Sequence, residues 1–378
     1  MPLTGQPNSM ESVALTPVVA NGIVYVGTDE NRTVALDEFT GKLIWEFSTG
    51  SFVRTPPTVA DGKVFFGSWD GYLYALNAND GKLIWKFGPV DLDKGLASGV
   101  WTMGVIVTQG RVIFGAQDIY AIDENSGTLV WKTILSEELA HSFGLALGDN
   151  MVVASSLDGN VYALDVATGN KLWAFKTNSY IEAVPSIAYG NVYVGSTDNY
   201  TYALNAKTGQ LVWKTEHGWS DYWTFGGGGW SHAGLADNMV FTSSPDGNRY
   251  VFNANTGELI WKFQTGNVSW SGTPIVGDIA YFGSWDGKIY AANKLTGTKL
   301  WEYQTNGYLN GDPAIVDGML IWGSSNDGYL YAIGEPVKPA QGIAIEYAYA
   351  AAAIVVVVII VAAAVVLKKK KVTPEQKT

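Results

Sequence analysis

The stretch YALNANDGKLIWKF, residues 74–87, reads as a strand, a tight turn and a second strand, and its second half recurs along the chain. The Trp-bearing copies are TGKLIWEF (40–47), DGKLIWKF (80–87), SGTLVWKT (126–133), TGNKLWAF (168–175), TGQLVWKT (208–215), TGELIWKF (256–263) and TGTKLWEY (296–303). They place Trp45, Trp85, Trp131, Trp173, Trp213, Trp261 and Trp301 in one register. A period of about 40 residues means stacked copies of one supersecondary unit, not separately folded domains.

One unit reads in order. TPVVANG (16–22) is a short apolar run closed by a turn, and IVYVGT (23–28) and TVALD (33–37) are β-branched, apolar runs of strand length. Thr40 and Gly41 make the next turn, and LIWEF (43–47) is the fourth strand. Four short strands in about 40 residues form one blade of an all-β propeller. Anchored on the residue before each second strand, the units begin at Gly22, Gly62, Gly110, Asn150, Gly190, Asn238, Asp278 and Gly318. Eight anchors predict an eight-bladed β-propeller of four-stranded antiparallel blades over residues 13–334. Two of the spacings are 48 residues where the others are 40, which puts insertions around 89–101 and 216–230. Such insertions fall in loops on one face, where binding usually lives.

The turns carry their own chemistry. Asp70-Gly71, Asp158-Gly159, Asp246-Gly247, Asp286-Gly287 and Asp327-Gly328 stand between second and third strands, and Asp-Gly is a strong hairpin signal. Asp37, Asn77, Asp123, Asp165, Asn205, Asn253 and Asn293 stand four residues before the Gly of the next turn. Side chains of this kind accept backbone N–H bonds in tight turns, so these acids read as structural, with calcium ligation as the alternative.

Composition narrows the function. The absence of cysteine excludes disulfides, thiolate metal sites and a Cys nucleophile. Net charge is −11, and the basic tail from Lys368 leaves the rest more acidic still. An acidic body repels a phosphate backbone, so nucleic acid is not an expected partner.

The ends differ from the middle. The eighth unit has three strand-like runs but no Trp-bearing fourth, and residues 1–12, MPLTGQPNSMES, offer neither a closing strand nor a signal peptide. Both absences fit a natural chain that starts upstream of Met1. Residues 335–346 form a Pro/Gly-containing linker. Residues 347–367 are an uncharged run followed by Lys368, Lys369, Lys370 and Lys371. As a helix, 21 residues span about 31 Å, enough to cross a bilayer core. The expectation is a C-terminal transmembrane helix over 347–367, a basic cytoplasmic tail over 368–378, and the propeller outside the cell membrane. Sequons at Asn31, Asn199 and Asn267 suit N-glycans on an exported protein.

The pattern Tyr-Ala-Leu-Asp/Asn-x-x-Thr-Gly-x-x-x-Trp resembles the repeat of the pyrroloquinoline-quinone-like propellers, over about residues 13–334. That resemblance implies a girdle of indoles in which each blade's Trp docks on its neighbour. For function it implies either a BamB-like scaffold without quinone or a dehydrogenase using the quinone and calcium. A dehydrogenase of that family would need calcium ligands, a catalytic Asp and a Trp beneath the quinone, and many members add a vicinal disulfide, which this chain cannot form.

Residues at the starts of innermost strands surround the channel mouth. Arg54, Glu182, Trp230, Trp270 and Asn310 stand there, with His232 and Asp312 two positions further on and Trp101 one before. A flat aromatic ligand could stack on Trp230 or Trp270 while Arg54 meets a carboxylate; the competing reading is a wet channel without a ligand. Glu182, Asn310 and Asp312 have the residue types of calcium ligands or a catalytic acid. The insertion carries Trp219, Tyr222, Trp223 and Phe225 before Gly226–Gly229, a recognition surface for protein, sugar or quinone, or a small satellite core. His217 and His232 are too few for a zinc site. The reading favoured is a membrane-anchored scaffold binding other membrane or extracytoplasmic proteins. A quinone- and calcium-dependent dehydrogenase is the first alternative and a carbohydrate-binding surface protein the second.

Overall fold

The computed structural model describes residues 16–90, 100, 104–136, 142–218, 233–309, 311–316, 318–324, 327 and 330–334. These residues form eight antiparallel sheets, each an up-and-down meander. Blade 1 shows the plan: β1 (Val18–Ala20), β2 (Ile23–Thr28), β3 (Arg32–Asp37) and β4 (Leu43–Ser48) pair in sequence order. Seven blades have four strands. The eighth has three among the described residues, ending with Leu330–Gly334.

Burial explains the sequence pattern. The second and third strands are covered on both faces by neighbouring blades, so they read as continuous apolar runs and are buried almost throughout. The outer strand has one covered face, and in β4 Trp45 is buried between exposed neighbours. A register shift recurs in the ladder between third and fourth strands, between Ala35 and Leu36 in blade 1 and at the same place in blades 2 to 7. The bulge turns two successive aliphatics outward, Leu43 and Ile44 in blade 1.

A separate apolar cluster fills each junction between blades. Val18, Val24, Val26, Val34 and Leu36 of blade 1 pack with Ala314, Met319, Ile321 and Leu330 of blade 8, so the ring closes. Each indole reaches across a junction. The Nε1 groups of Trp45, Trp85, Trp131, Trp173, Trp213 and Trp261 donate to the carbonyls of Ala78, Glu124, Val166, Ala206, Ala254 and Lys294 at 2.9–3.0 Å. The same rings lie on Gly81, Gly127, Gly169, Gly209, Gly257 and Gly297, where an added Cβ would come within 2.6–2.8 Å of them. These glycines also have positive φ, from 68° to 73°. Each is therefore fixed twice, by its own turn and by the neighbour's Trp.

Alternation of strand direction gives the ring two ends. Turns between first and second strands, and between third and fourth, share one end. The Asp-Gly turns and the blade-to-blade connections share the other, the connection end. Among the described residues there is no helix, and none long and apolar enough to cross a membrane. The apolar run 347–367, the linker before it and the basic tail lie outside the described residues, so the architecture the structure carries is the propeller alone.

Candidate functional site

The sequence-predicted ring falls on the connection end, where Arg54, Glu182, Trp270 and Asp312 belong to four different blade-to-blade connections. The acids of the Asp-Gly turns at this end staple the fold. Asp70 accepts the Tyr74 hydroxyl at 2.7 Å, and the backbone N–H groups of Gly50 and Tyr72 at 2.8 and 3.1 Å. Asp158, Asp198, Asp246, Asp286 and Asp327 take the hydroxyls of Tyr162, Tyr202, Tyr250, Tyr290 and Tyr331 in the same way at 2.5–2.7 Å. Burial, then the neighbouring carboxylate, pushes the Tyr250 hydroxyl up to about 12. At the opposite end Asp37 caps its turn, accepting the Thr40 N–H at 2.8 Å and hydroxyl at 2.6 Å. Among the described residues, no group of three or more His, Asp or Glu side chains could hold a metal ion.

Arg54 already has its carboxylate. Its Nε and Nη2 donate to the two oxygens of Asp29 at 2.7 and 2.9 Å. The guanidinium also lies 5.2 Å from the Phe52 ring centre and 5.0 Å from that of Trp69. The fork expected to meet a ligand is thus engaged by the protein, and Arg54 acts as a clamp between blades 1 and 2. Trp270 is half-buried, edge-on to Trp285 with ring centres 4.5 Å apart, and Trp285 stacks on Tyr308 at 5.6 Å. Asp312 accepts the backbone N–H of Gly272, so the Trp270 segment and Asp312 do come together across blades 7 and 8. Glu182 is half-buried after the core residue Ile181. Trp101, Trp230, His232 and Asn310 lie outside the described residues, as does the aromatic insertion 219–232. Of the sequons, Asn267 is exposed, while the Oδ1 atoms of Asn31 and Asn199 are buried in turns with positive φ.

Two buried polar residues escaped the ring. Arg249 is 2% exposed, at a third-strand position that other blades give to Thr33, Leu73, Ile119, Val161, Thr201, Ile289 and Leu330. Its Nη1 donates to Thr273 Oγ1 at 3.1 Å, its Nη2 to Ser271 Oγ at 2.5 Å, and its guanidinium lies 5.3 Å from the Phe282 ring centre. Burial pushes it down to about 9, against the opposing pull of Asp312. One junction back, Thr201 is the equivalent residue and leaves a cavity of about 20 Å³. His217, Thr201, Thr242, Ser243, Val194 and Ala233 line that cavity. His217 is 2% exposed, and burial holds its imidazole at about 4, so it is neutral at pH 7. The signal for Arg249 lay in the repeat itself, as a charged residue in a column of apolar and Thr side chains.

Comparison with known proteins sets this geometry in a family. The family model described as outer membrane protein assembly factor BamB matches residues 6–115, 115–221 and 245–335. The outer membrane protein assembly factor BamB of Pseudomonas aeruginosa is 30% identical over 124 residues, which are 32% of this chain and 30% of that protein. The quinohemoprotein alcohol dehydrogenase ADH-IIG of Pseudomonas putida is 28% identical over 147 residues, 33% of this chain and 20% of that enzyme. The chain thus spans less than a third of the length of either relative. The crystal structure of BamB from Moraxella catarrhalis superposes with a TM-score of 0.68 at 20% identity, over 84% of this chain and 93% of that one, a likeness of fold. Eight sheets, indole docking at six of the junctions between blades and a match over most of the sequence lead to one conclusion: the chain belongs to the family of repeat propellers described as outer membrane protein assembly factor BamB.

Proposed function

We propose that the chain is a membrane-anchored, extracytoplasmic propeller that acts as a protein-binding scaffold in assembly. The observation that carries this reading is a set of exposed aromatics on the connection end. Phe52, Tyr180 and Tyr308 occupy one repeat position, ten residues before the anchors of blades 2, 5 and 8, and are 36%, 56% and 44% exposed. The same position holds the buried Val100 and Val268 in blades 3 and 7. Rigid aromatics on stiff connections are the side chains that dominate protein–protein binding energy. The BamB relatives are named for assembly of outer membrane proteins, which fits partners of that kind. Anchoring rests on the uncharged run 347–367 and the four lysines after it, which put the C-terminus in the cytoplasm and the propeller outside. The propeller itself is taken as residues 13–334.

The test is photo-crosslinking in native membranes, with a photoreactive residue placed at Phe52, Tyr180 or Tyr308 in turn. The scaffold reading expects one discrete protein adduct shared by these positions and missing from a control at Thr40 on the opposite end. Adducts absent from all three would end it.

Similarity to a quinohemoprotein alcohol dehydrogenase favours a second reading, a quinone- and calcium-dependent enzyme. Of that set, Trp270 offers an indole beside Trp285. The described residues do not otherwise fit it: the Arg54 fork is held by Asp29, no cluster of three metal-ligating side chains is present among them, and no vicinal disulfide can form. No catalytic step is derived through the quinone.

A further inference from the structure

The repeat departs from itself twice at the junction of blades 5 and 6. After the outer strands of blades 1, 4, 6 and 7, the place of His217 is held by Thr49, Thr177, Thr265 and Thr305. Each of these threonines donates its hydroxyl to a carbonyl in the turn between its own blade's second and third strands. The acceptors are Asn31, Gly159, Gly247 and Gly287, at 2.6–3.0 Å. His217 keeps the backbone half of that contact, its N–H donating to the Asn199 carbonyl at 2.9 Å. Its side chain is 2% exposed, and Nδ1 is buried without a hydrogen-bond partner. The second departure is Thr201, which stands where blades 2, 3, 4, 7 and 8 have Leu73, Ile119, Val161, Ile289 and Leu330. Thr201 is 1% exposed, and its Oγ1 is likewise buried without a partner.

Both side chains line the same cavity of about 20 Å³. A space above about 10–15 Å³ takes one water when it offers polar partners, whereas an apolar one stays dry. Here the orphaned imidazole nitrogen and hydroxyl supply those partners, and the Thr242 hydroxyl stands in the same wall. The walls are pinned on both sides. Ser244 Oγ donates to the Gly218 carbonyl at 3.0 Å, and Ser186 Oγ to the Ala233 carbonyl at 2.9 Å. Charge chooses the guest. None of the lining side chains among the described residues is an acid or a Lys or Arg, so an ion would enter without a counter-charge. Asp198 and Asp246, whose fields act on His217, do not line the cavity and already hold the hydroxyls of Tyr202 and Tyr250. A neutral imidazole has one nitrogen that donates and one that accepts, and a hydroxyl does both. Water matches either arrangement.

We propose that the junction of blades 5 and 6 binds one water molecule, held between His217 Nδ1 and Thr201 Oγ1 as a fixed part of the fold. The water satisfies a side chain that cannot make the threonine staple of the other blades.

The test is a crystal structure of the full-length protein at a resolution that shows ordered solvent, paired with nitrogen NMR of its three histidines. The expected result is one isolated solvent peak within about 3.2 Å of both atoms. Thr201→Leu, which restores the residue of blade 2, should remove the peak and shift the His217 Nδ1 resonance. Thr201→Ser, which keeps the hydroxyl, should preserve both. The His217 signal is identified by its loss in His217→Gln. A wild-type cavity without density overturns the proposal, as does a peak that bonds neither atom, or a His217 resonance unmoved by Thr201→Leu. If Thr201→Leu fails to fold, the wild-type density alone decides.

Discussion

Arg249 shows how a single residue can depart from the repeat. Its column is otherwise apolar or Thr, and its guanidinium is held by two neutral hydroxyls and a ring, with no carboxylate in ion-pair distance among the described residues. A buried cation without a paired anion is costly, and apolar replacement of buried charges is often neutral or stabilising. Arg249→Leu, which restores the residue of blade 2, is expected to raise the urea midpoint by the equivalent of about 1–4 kcal/mol without changing the slope. A lower midpoint would mean that the fold relies on the charge. His217 gives a pH prediction. Burial pushes it down to about 4 from 6.5, so the unfolded chain takes up a proton that the folded chain refuses. Above pH 6.5 the group is neutral in both states and its full contribution to stability is present. As the pH falls from 6.5 to 4, that contribution is lost, up to about 3 kcal/mol. Denaturation of wild type and His217→Gln across this window checks the sign: the variant's stability should fall less steeply. Neither residue was legible as special from the strand starts alone. Arg54's partner Asp29 was hidden too, since 25 residues separate them and only the junction of blades brings them together.

At the level of the blade, the Thr-Gly-x-x-x-Trp segment was legible because each of its residues serves two purposes. The Gly makes the turn of its own blade and receives the preceding blade's indole; the Trp ends the hairpin and caps the next junction. Gly81→Ala tests that coupling. The new Cβ would stand 2.7 Å from the Trp45 ring, at a φ of 68° that disfavours any side chain. Displacing the indole also breaks its hydrogen bond to Ala78. A loss of about 3–5 kcal/mol, the range for emptying a large aromatic site, is expected from chemical denaturation. Gly62→Ala, with positive φ but nothing within 4 Å, should lose only the backbone part, about 1 kcal/mol. Equal losses at the two sites would show that the indole is not set by the glycine. The fourth strand of blade 8 was the part of the pattern that sequence left open. The Trp that marks the other seven units is missing from that part of the sequence.

For the whole molecule, fold and function separate. The blade count, the order of strands and the end carrying the candidate site could all be read from repeat spacing, because a propeller is the stacking of one local unit. What the connection end binds could not, since it depends on which side chains meet across blades that lie far apart in sequence. Arg54 turned out to be engaged by Asp29, and the exposed aromatics that carry the scaffold reading stand at one repeat position in blades 2, 5 and 8. The central claim is that this end binds protein and not a quinone. The most direct measurement is a thermal-shift titration of the full-length protein with pyrroloquinoline quinone and calcium. A site filled a hundredfold over its Kd would stabilise the fold by about 2.7 kcal/mol. The account predicts no saturable shift. A saturable shift that disappears in Trp270→Ala would contradict it and make the channel mouth a cofactor site.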